Sequence, residues 1–264
     1  MAFFELSSAA LAALLFGVVI GTTLLGGFVG RRLRHLSDDL KEPFAVLQGA
    51  LLGIVGLVLA FGLSLAVSRY ENRREAVVDE ANTIGTTYLR SQTLEEPMRS
   101  LSIRDLRLYV NHAIGLTDSV PGSAEADAAV AEGEELERGL WRTAGEALDR
   151  APVDSAPRLY VETLNEMIDQ RATRIAGLSN RVPDAVLLLE VLGAAVALGL
   201  LATYLAILGR GVAPALIASV LVSFLLLVTF DLDRPHRGLI KVPDTALVSE
   251  RESMELPPAA RGPG

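Results

Sequence analysis

The sequence contains no cysteine, and its 264 residues include only two lysines. Without cysteine the chain has no disulfides, no thiolate metal sites and no cysteine nucleophile. The three histidines, His35, His112 and His236, lie too far apart for the ligand spacing of a zinc site. The sequence therefore predicts no metal centre of these kinds.

Net positive charge is also missing. The formal net charge is −8, so we expect no basic surface for a nucleic-acid partner. Catalytic motifs are absent as well: the chain has no G-x-x-x-x-G-K-[ST], no G-x-S-x-G and no H-E-x-x-H. We expect no cofactor and no catalytic residue, and the sequence disfavours an enzyme.

Apolar residues, by contrast, are abundant and concentrated. They make up 50% of the chain, whose mean hydropathy is +0.38. A helix needs about 20 apolar residues to cross about 30 Å of hydrocarbon, and four runs meet this length. These are residues 6–30, 44–68, 185–208 and 211–230. The sequence predicts an all-α, multi-pass membrane protein whose immediate partner is the lipid bilayer.

The four runs form two pairs. Only Gly209-Arg210-Gly211 joins the third run to the fourth, which predicts a tight helical hairpin. The predicted organisation is a first transmembrane hairpin over 1–68, a helical extramembrane domain over 69–183, a second hairpin over 184–230 and a polar tail over 231–264. From about Ser249 the tail is rich in proline, glycine and charge, and we expect it to be disordered.

The segment between the pairs has helical periodicity. Val77, Ala81, Ile84 and Tyr88 recur at spacings of four, three and four. Because no glycine or proline separates them from the second run, we expect that run to continue as one long helix. A second stripe farther along the chain is interrupted by Arg171; it comprises Tyr160, Leu164, Met167, Arg171, Ile175 and Leu178. Prolines and a Val-Pro-Gly-Ser turn divide the segment into about four helices.

The second run carries a face of small residues, Gly49, Gly53, Gly56, Ala60 and Ser64. In a bilayer, small residues let helix backbones approach closely, so ordinary helix packing is one interpretation. A pore-lining face with room for ions or water is the other. Leu57, Phe61 and Leu65 form a bulky row beside it, and an apolar constriction of this kind can gate a pore by dewetting.

Polar residues inside or next to the runs are further candidates. Gln48 and Glu190 lie within apolar segments, where a carboxylate is costly unless it has a partner, such as Arg181 or Arg210, or reaches the interface. Asp231 and Asp233 directly follow the fourth run. They could help ligate a divalent cation or, with the neighbouring arginines, form an ion-paired anchor at the membrane surface.

Two blocks of the sequence resemble the bacterial bestrophin-like domain family. One combines Gln48–Gly53 with LAFGLSLAVSRYENRREAVVDEANTIGTTYLR over Leu59–Arg90, and the other is DLDRPHRGLIKV over Asp231–Val242. The resemblance extends over essentially the whole chain. A more distant similarity, over Leu57–Tyr70, links the chain to bestrophins proper, which are homopentameric anion channels with a hydrophobic neck on the second helix.

The more distant similarity implies roles for particular residues. Leu57 and Phe61 match neck positions, whereas Gly53 stands where a third bulky residue is expected. Asp231 and Asp233 occupy a place similar to the bestrophin calcium cluster without reproducing it, so calcium gating is not implied. The resemblance also implies a homo-oligomer in the plasma or inner membrane, with the termini and middle domain in the cytoplasm. The distribution of lysine and arginine between the two sides of the membrane does not by itself decide the orientation of the chain.

Two functions follow from the sequence. The first is a homo-oligomeric ion channel, conducting anions through a pore lined by the second helix. The second is a non-conducting membrane scaffold or sensor whose helical domain binds a partner or ligand. In the second case the small-residue face would serve packing alone.

Overall fold

The computed structural model describes residues 7–35, 41–118, 123–234 and 238–259. Every regular element in these ranges is helical, which confirms the all-α prediction. The α-helices are α1 (Ser8–Arg32), α2 (Lys41–Ser91), α3 (Met98–Asp118), α4 (Ala124–Arg150), α5 (Ser155–Ser179), α6 (Asp184–Ile207), α7 (Ala213–Leu232) and α8 (Thr245–Ser253).

Four of these helices, α1, α2, α6 and α7, are long and apolar enough to cross a membrane, as the hydropathy predicts. Local signals set several helix ends. The Ser7 and Ser123 hydroxyls accept backbone N–H groups at the starts of α1 and α4. Between α6 and α7, Gly209 adopts φ +75°, a left-handed conformation that glycine tolerates best and that closes the tight hairpin.

The chain divides into two compact units. One, which we call the membrane unit, comprises Met1–Tyr70 and Arg181–Ile240; the other, the helical unit, comprises Glu71–Asn180 and Lys241–Gly264. The membrane unit packs leucine, valine and alanine from all four apolar helices into one core, with Leu11, Leu59, Leu198 and Phe230 among its buried members.

The helical unit has its own core, built from both predicted stripes. Val77, Ala81, Ile84 and Tyr88 are buried, and so are Tyr160, Leu164 and Met167 of the second stripe. The long helix α2 ends at Ser91, and three further helices follow it before Asn180. The segment therefore contains four helices, as its prolines indicate, whereas the predicted Val-Pro-Gly turn at 120–122 lies outside the described residues.

The C-terminal segment differs from the expectation of disorder. Helix α8 spans Thr245–Ser253, and Leu247 and Met254 are completely buried. The Tyr88 hydroxyl and the Arg107 guanidinium both donate to the Met254 carbonyl, at 2.9 and 2.6 Å. Leu247 and Met254, seven residues apart, dock this polar segment on the helical unit. Two apolar residues are too weak a signal in the sequence to predict order in a segment whose composition predicts disorder.

Candidate functional site

The apolar half of α2 has one covered side and one open side. Val55, Leu59, Gly62 and Ala66 are buried against the rest of the membrane unit. With 100° per residue, these positions fall on one side of the helix, and the small-residue face and the bulky row share the other. The rest of the described chain therefore leaves about half of the circumference of α2 uncovered.

The small-residue face lies on this open side. Gly49, Gly53, Gly56, Ala60 and Ser64 are all exposed. A Cβ built on any of the three glycines would meet nothing within 4 Å. Packing between helices of the same described chain thus does not account for these glycines.

The bulky row adjoins the small-residue face. Leu57, Phe61 and Leu65 are 58%, 62% and 44% exposed. At 100° per residue, Phe61 lies roughly 80° around the helix from Gly53. Two stripes of contrasting size therefore run side by side along the open half of α2.

Close backbone packing of small residues occurs instead between α1 and α6. A Cβ at Gly26 would collide with the backbone of Gly199, and one at Gly30 would collide with the backbone of Thr203. The Thr203 hydroxyl donates to the Gly26 carbonyl at 3.0 Å. This contact is not among those expected from the sequence above, although the Gly-x-x-x-Gly spacing at 26–30 signals it.

The two intramembrane polar residues are both buried. Gln48 is on the covered side of α2, and Glu190 on α6 is only 1% exposed. The Glu190 carboxylate lies against Gly62, in the space that a Cβ there would take. Neither of its oxygens has a hydrogen-bond partner among the described residues, so no described arginine pairs with it.

The two aspartates at the C-terminal end of α7, Asp231 in its last turn and Asp233 directly after it, bind backbone amides. The Asp231 carboxylate accepts from the N–H groups of Leu239 and Ile240, each at 2.8 Å. Asp233 accepts from the Val182 N–H at 2.9 Å and is fully buried. Within the described ranges, no group of three or more histidine, cysteine, aspartate or glutamate residues is placed to hold a metal ion. These bonds fasten the chain on either side of the second hairpin.

The helical unit contains a buried ionic cluster that the sequence analysis did not find. Arg174 pairs with Glu80 at 2.5 Å, and Arg171, which interrupts the second stripe, pairs with Glu137 at 3.3 Å. Burial raises the pKa of Glu137, although Arg171 acts to lower it. Burial also raises the pKa of Tyr109, and the carboxylates of Glu80 and Glu137 add to that rise. Because paired residues on different helices are far apart in sequence, periodicity alone cannot match them.

A family model for the bestrophin-like domain matches residues 12–247. The chain belongs to the bestrophin-like domain family. The match extends into both units and includes α2 in full, which confirms the resemblance to this family. No curated protein matches the chain.

Solved structures share the fold of this bestrophin-like chain. A single-residue variant of a bacterial bestrophin homologue from Klebsiella pneumoniae is 15% identical, with a TM-score of 0.64, over 92% of this chain and 97% of that one. The K. pneumoniae homologue phased on zinc is 14% identical, with a TM-score of 0.62, over 89% and 97%. A chain described as a membrane protein is 15% identical, with a TM-score of 0.62, over 92% and 98%. At these identities the likeness establishes the fold.

Proposed function

We propose that this bestrophin-like protein is a homo-oligomeric ion channel whose pore is lined by α2. The observation that carries the proposal is the open half of α2. An apolar helix in the membrane unit leaves both its glycine face and its bulky row uncovered by its own chain.

The two stripes suit two different neighbours. In a ring of α2 helices, each copy has one side towards the adjacent copy and another side towards the central axis. The small-residue face allows the close backbone approach that helices in a bilayer require. Leu57, Phe61 and Leu65 then face the axis and form a narrow apolar constriction, which conducts only when it is wetted.

The composition of α2 also bears on ion type. Between Phe44 and Ser68 the helix has no aspartate or glutamate. Cation channels commonly select with rings of carboxylates, and α2 cannot supply one here. Together with the distant similarity to bestrophins, this favours anions as the permeant species.

Ion flux from reconstituted liposomes tests the proposal. Truncating the constriction with Phe61→Ala removes the largest apolar side chain of the row, so we expect flux to rise severalfold over the unmodified protein. The matched control is Phe224→Ala, which removes a phenylalanine of α7 that is also more than half exposed and should leave flux unchanged. Flux no higher than that of empty vesicles, or a strictly monomeric particle, would overturn the proposal.

A cysteine-accessibility scan over residues 49–67 separates the channel from the scaffold. Because the chain has no native cysteine, each variant carries a single thiol. A channel predicts that a water-soluble reagent labels Leu57→Cys and Phe61→Cys but not Leu221→Cys, an exposed position on α7. Uniform protection along α2 would favour the non-conducting scaffold.

A further inference from the structure

Glu190 places a carboxyl group in the apolar part of α6, six residues after the helix begins at Asp184. Its side chain is among the least exposed in the membrane unit, and neither oxygen has a hydrogen-bond partner among the described residues. The carboxyl group rests on the backbone of α2 at Gly62, where any larger residue would overlap it. Absence of a side chain at residue 62 thus creates the space that the acid fills.

The charged groups on the helices around Glu190 do not neutralise it. In the membrane unit, the described charged side chains of these helices are Asp184 on α6 itself, Glu42 and Arg69 on α2, Arg31 and Arg32 on α1, and Asp231 on α7. Arg69 is seven residues beyond Gly62, about 10 Å along the helix axis. None of these groups forms a hydrogen bond or ion pair with the Glu190 carboxyl oxygens.

A buried carboxylate without a counter-charge is far more costly than the neutral acid, and such groups take up a proton instead. We propose that Glu190 is a proton-binding site in the membrane unit, which controls how α2 packs on α6. With the carboxyl neutral, α2 lies against α6 through Gly62. When Glu190 releases its proton, the carboxylate requires water or a cation, and the contact at Gly62 opens to admit it.

This contact is adjacent to the candidate pore. Gly62 directly follows Phe61, so a displacement of α2 at Gly62 also displaces the bulky row. We expect protonation to support the alignment of the row and ionisation to disturb it. This last step, from proton to conduction, rests on the proposed function, whereas the proton site itself does not.

Infrared difference spectroscopy tests the proton site directly. The protein in lipid nanodiscs is titrated with acid and base, and the carbonyl stretch of protonated carboxylic acids is followed. We expect a signal at neutral pH that Glu190→Gln removes and Asp184→Asn, the control acid on the same helix, retains. A spectrum at neutral pH that is identical in the unmodified protein and Glu190→Gln would overturn the proposal.

Thermal unfolding gives a second readout that needs no flux. Packing that depends on the neutral acid is present while Glu190 is protonated and is lost as rising pH ionises it. The melting temperature of the unmodified protein should therefore fall with rising pH more steeply than that of Glu190→Gln. Gly62→Ala should lower the melting temperature, and removing the carboxyl group with Glu190→Ala should reduce that loss. Equal pH slopes and independent effects of the two substitutions would contradict the packing role.

Flux then tests the coupling to conduction. Suppose that Glu190 binds its proton about tenfold more tightly when α2 is packed on α6 than when the contact at Gly62 is open. Ionisation then shifts the equilibrium between these two arrangements about tenfold. We expect a fall in flux of this size as pH rises, and none in Glu190→Gln. Identical pH profiles would overturn the coupling. No flux in any variant would instead overturn the channel function, with the infrared and melting data still deciding the proton site.

Discussion

Two glycine pairs in the membrane unit share one spacing and have opposite surroundings. Gly26 and Gly30 on α1 lie against the backbone of α6, whereas Gly49 and Gly53 on α2 have no atom within 4 Å of a built Cβ. A small-residue pair marks where a helix backbone can be approached closely. The comparison shows that the same pattern serves a contact inside the chain in one helix and leaves a free face in the other.

The largest effect on the free energy of unfolding is expected at the closed pair, Gly26 and Gly30, which the backbone of α6 covers. Gly26→Ala places a methyl group into the backbone of Gly199, and overpacking of this kind typically costs about 1–3 kcal/mol. We expect a loss of this size in the free energy of unfolding, measured by denaturation in detergent. Gly17→Ala on the same helix, where nothing lies within 4 Å, is the control and should be neutral or stabilising. Similar losses in both variants would remove the distinction between closed and open glycines.

A substitution in the open pair, Gly49 and Gly53, should weaken self-association and leave the folding of the protomer unchanged. Gly53→Leu adds bulk to a face that its own chain leaves free, so the protomer should unfold as before while self-association weakens by about tenfold, or roughly 1.4 kcal/mol. Light scattering across a dilution series in detergent measures this change. Gly21→Leu, an exposed glycine on α1, is the matched control. An oligomer unaffected by Gly53→Leu would show that the open face of α2 is not an interface.

The smallest effect concerns the hydrogen bond that accompanies the closed pair. Thr203→Val removes the hydroxyl that donates to the Gly26 carbonyl, and such bonds between membrane helices contribute about 0.6 kcal/mol on average. Thr22 bonds only to carbonyls of its own helix, at 2.9 and 3.0 Å, so Thr22→Val should have less effect on unfolding. A larger loss in Thr22→Val than in Thr203→Val would mean that packing, and not this hydrogen bond, determines the difference.

The elements of the fold could be predicted because they depend on local signals. Long apolar runs define α1, α2, α6 and α7, and the spacing from Val77 to Tyr88 carries α2 beyond the membrane-length run. The family could be recognised from the blocks around α2 and after α7. Hydropathy and period are properties of neighbouring residues, so a single sequence displays them fully.

The candidate site could be predicted only in part, because its surroundings come from distant segments. The sequence shows a glycine face on α2 but not that the chain leaves it open. It shows Glu190 in an apolar helix but not that Gly62, on another helix, accommodates it. The pairing of Arg174 with Glu80 joins residues 94 positions apart, and neither residue indicates its partner.

Helix α8 has a consequence for the order in which the protein forms. Leu247 and Met254 complete the core of the helical unit, yet a ribosome makes them only after α6 and α7. Domains generally fold as units during synthesis, beginning with the N-terminal one, but this unit cannot close its core before the second hairpin has been translated. Insertion of that hairpin into the bilayer would then precede the last packing step of the helical unit.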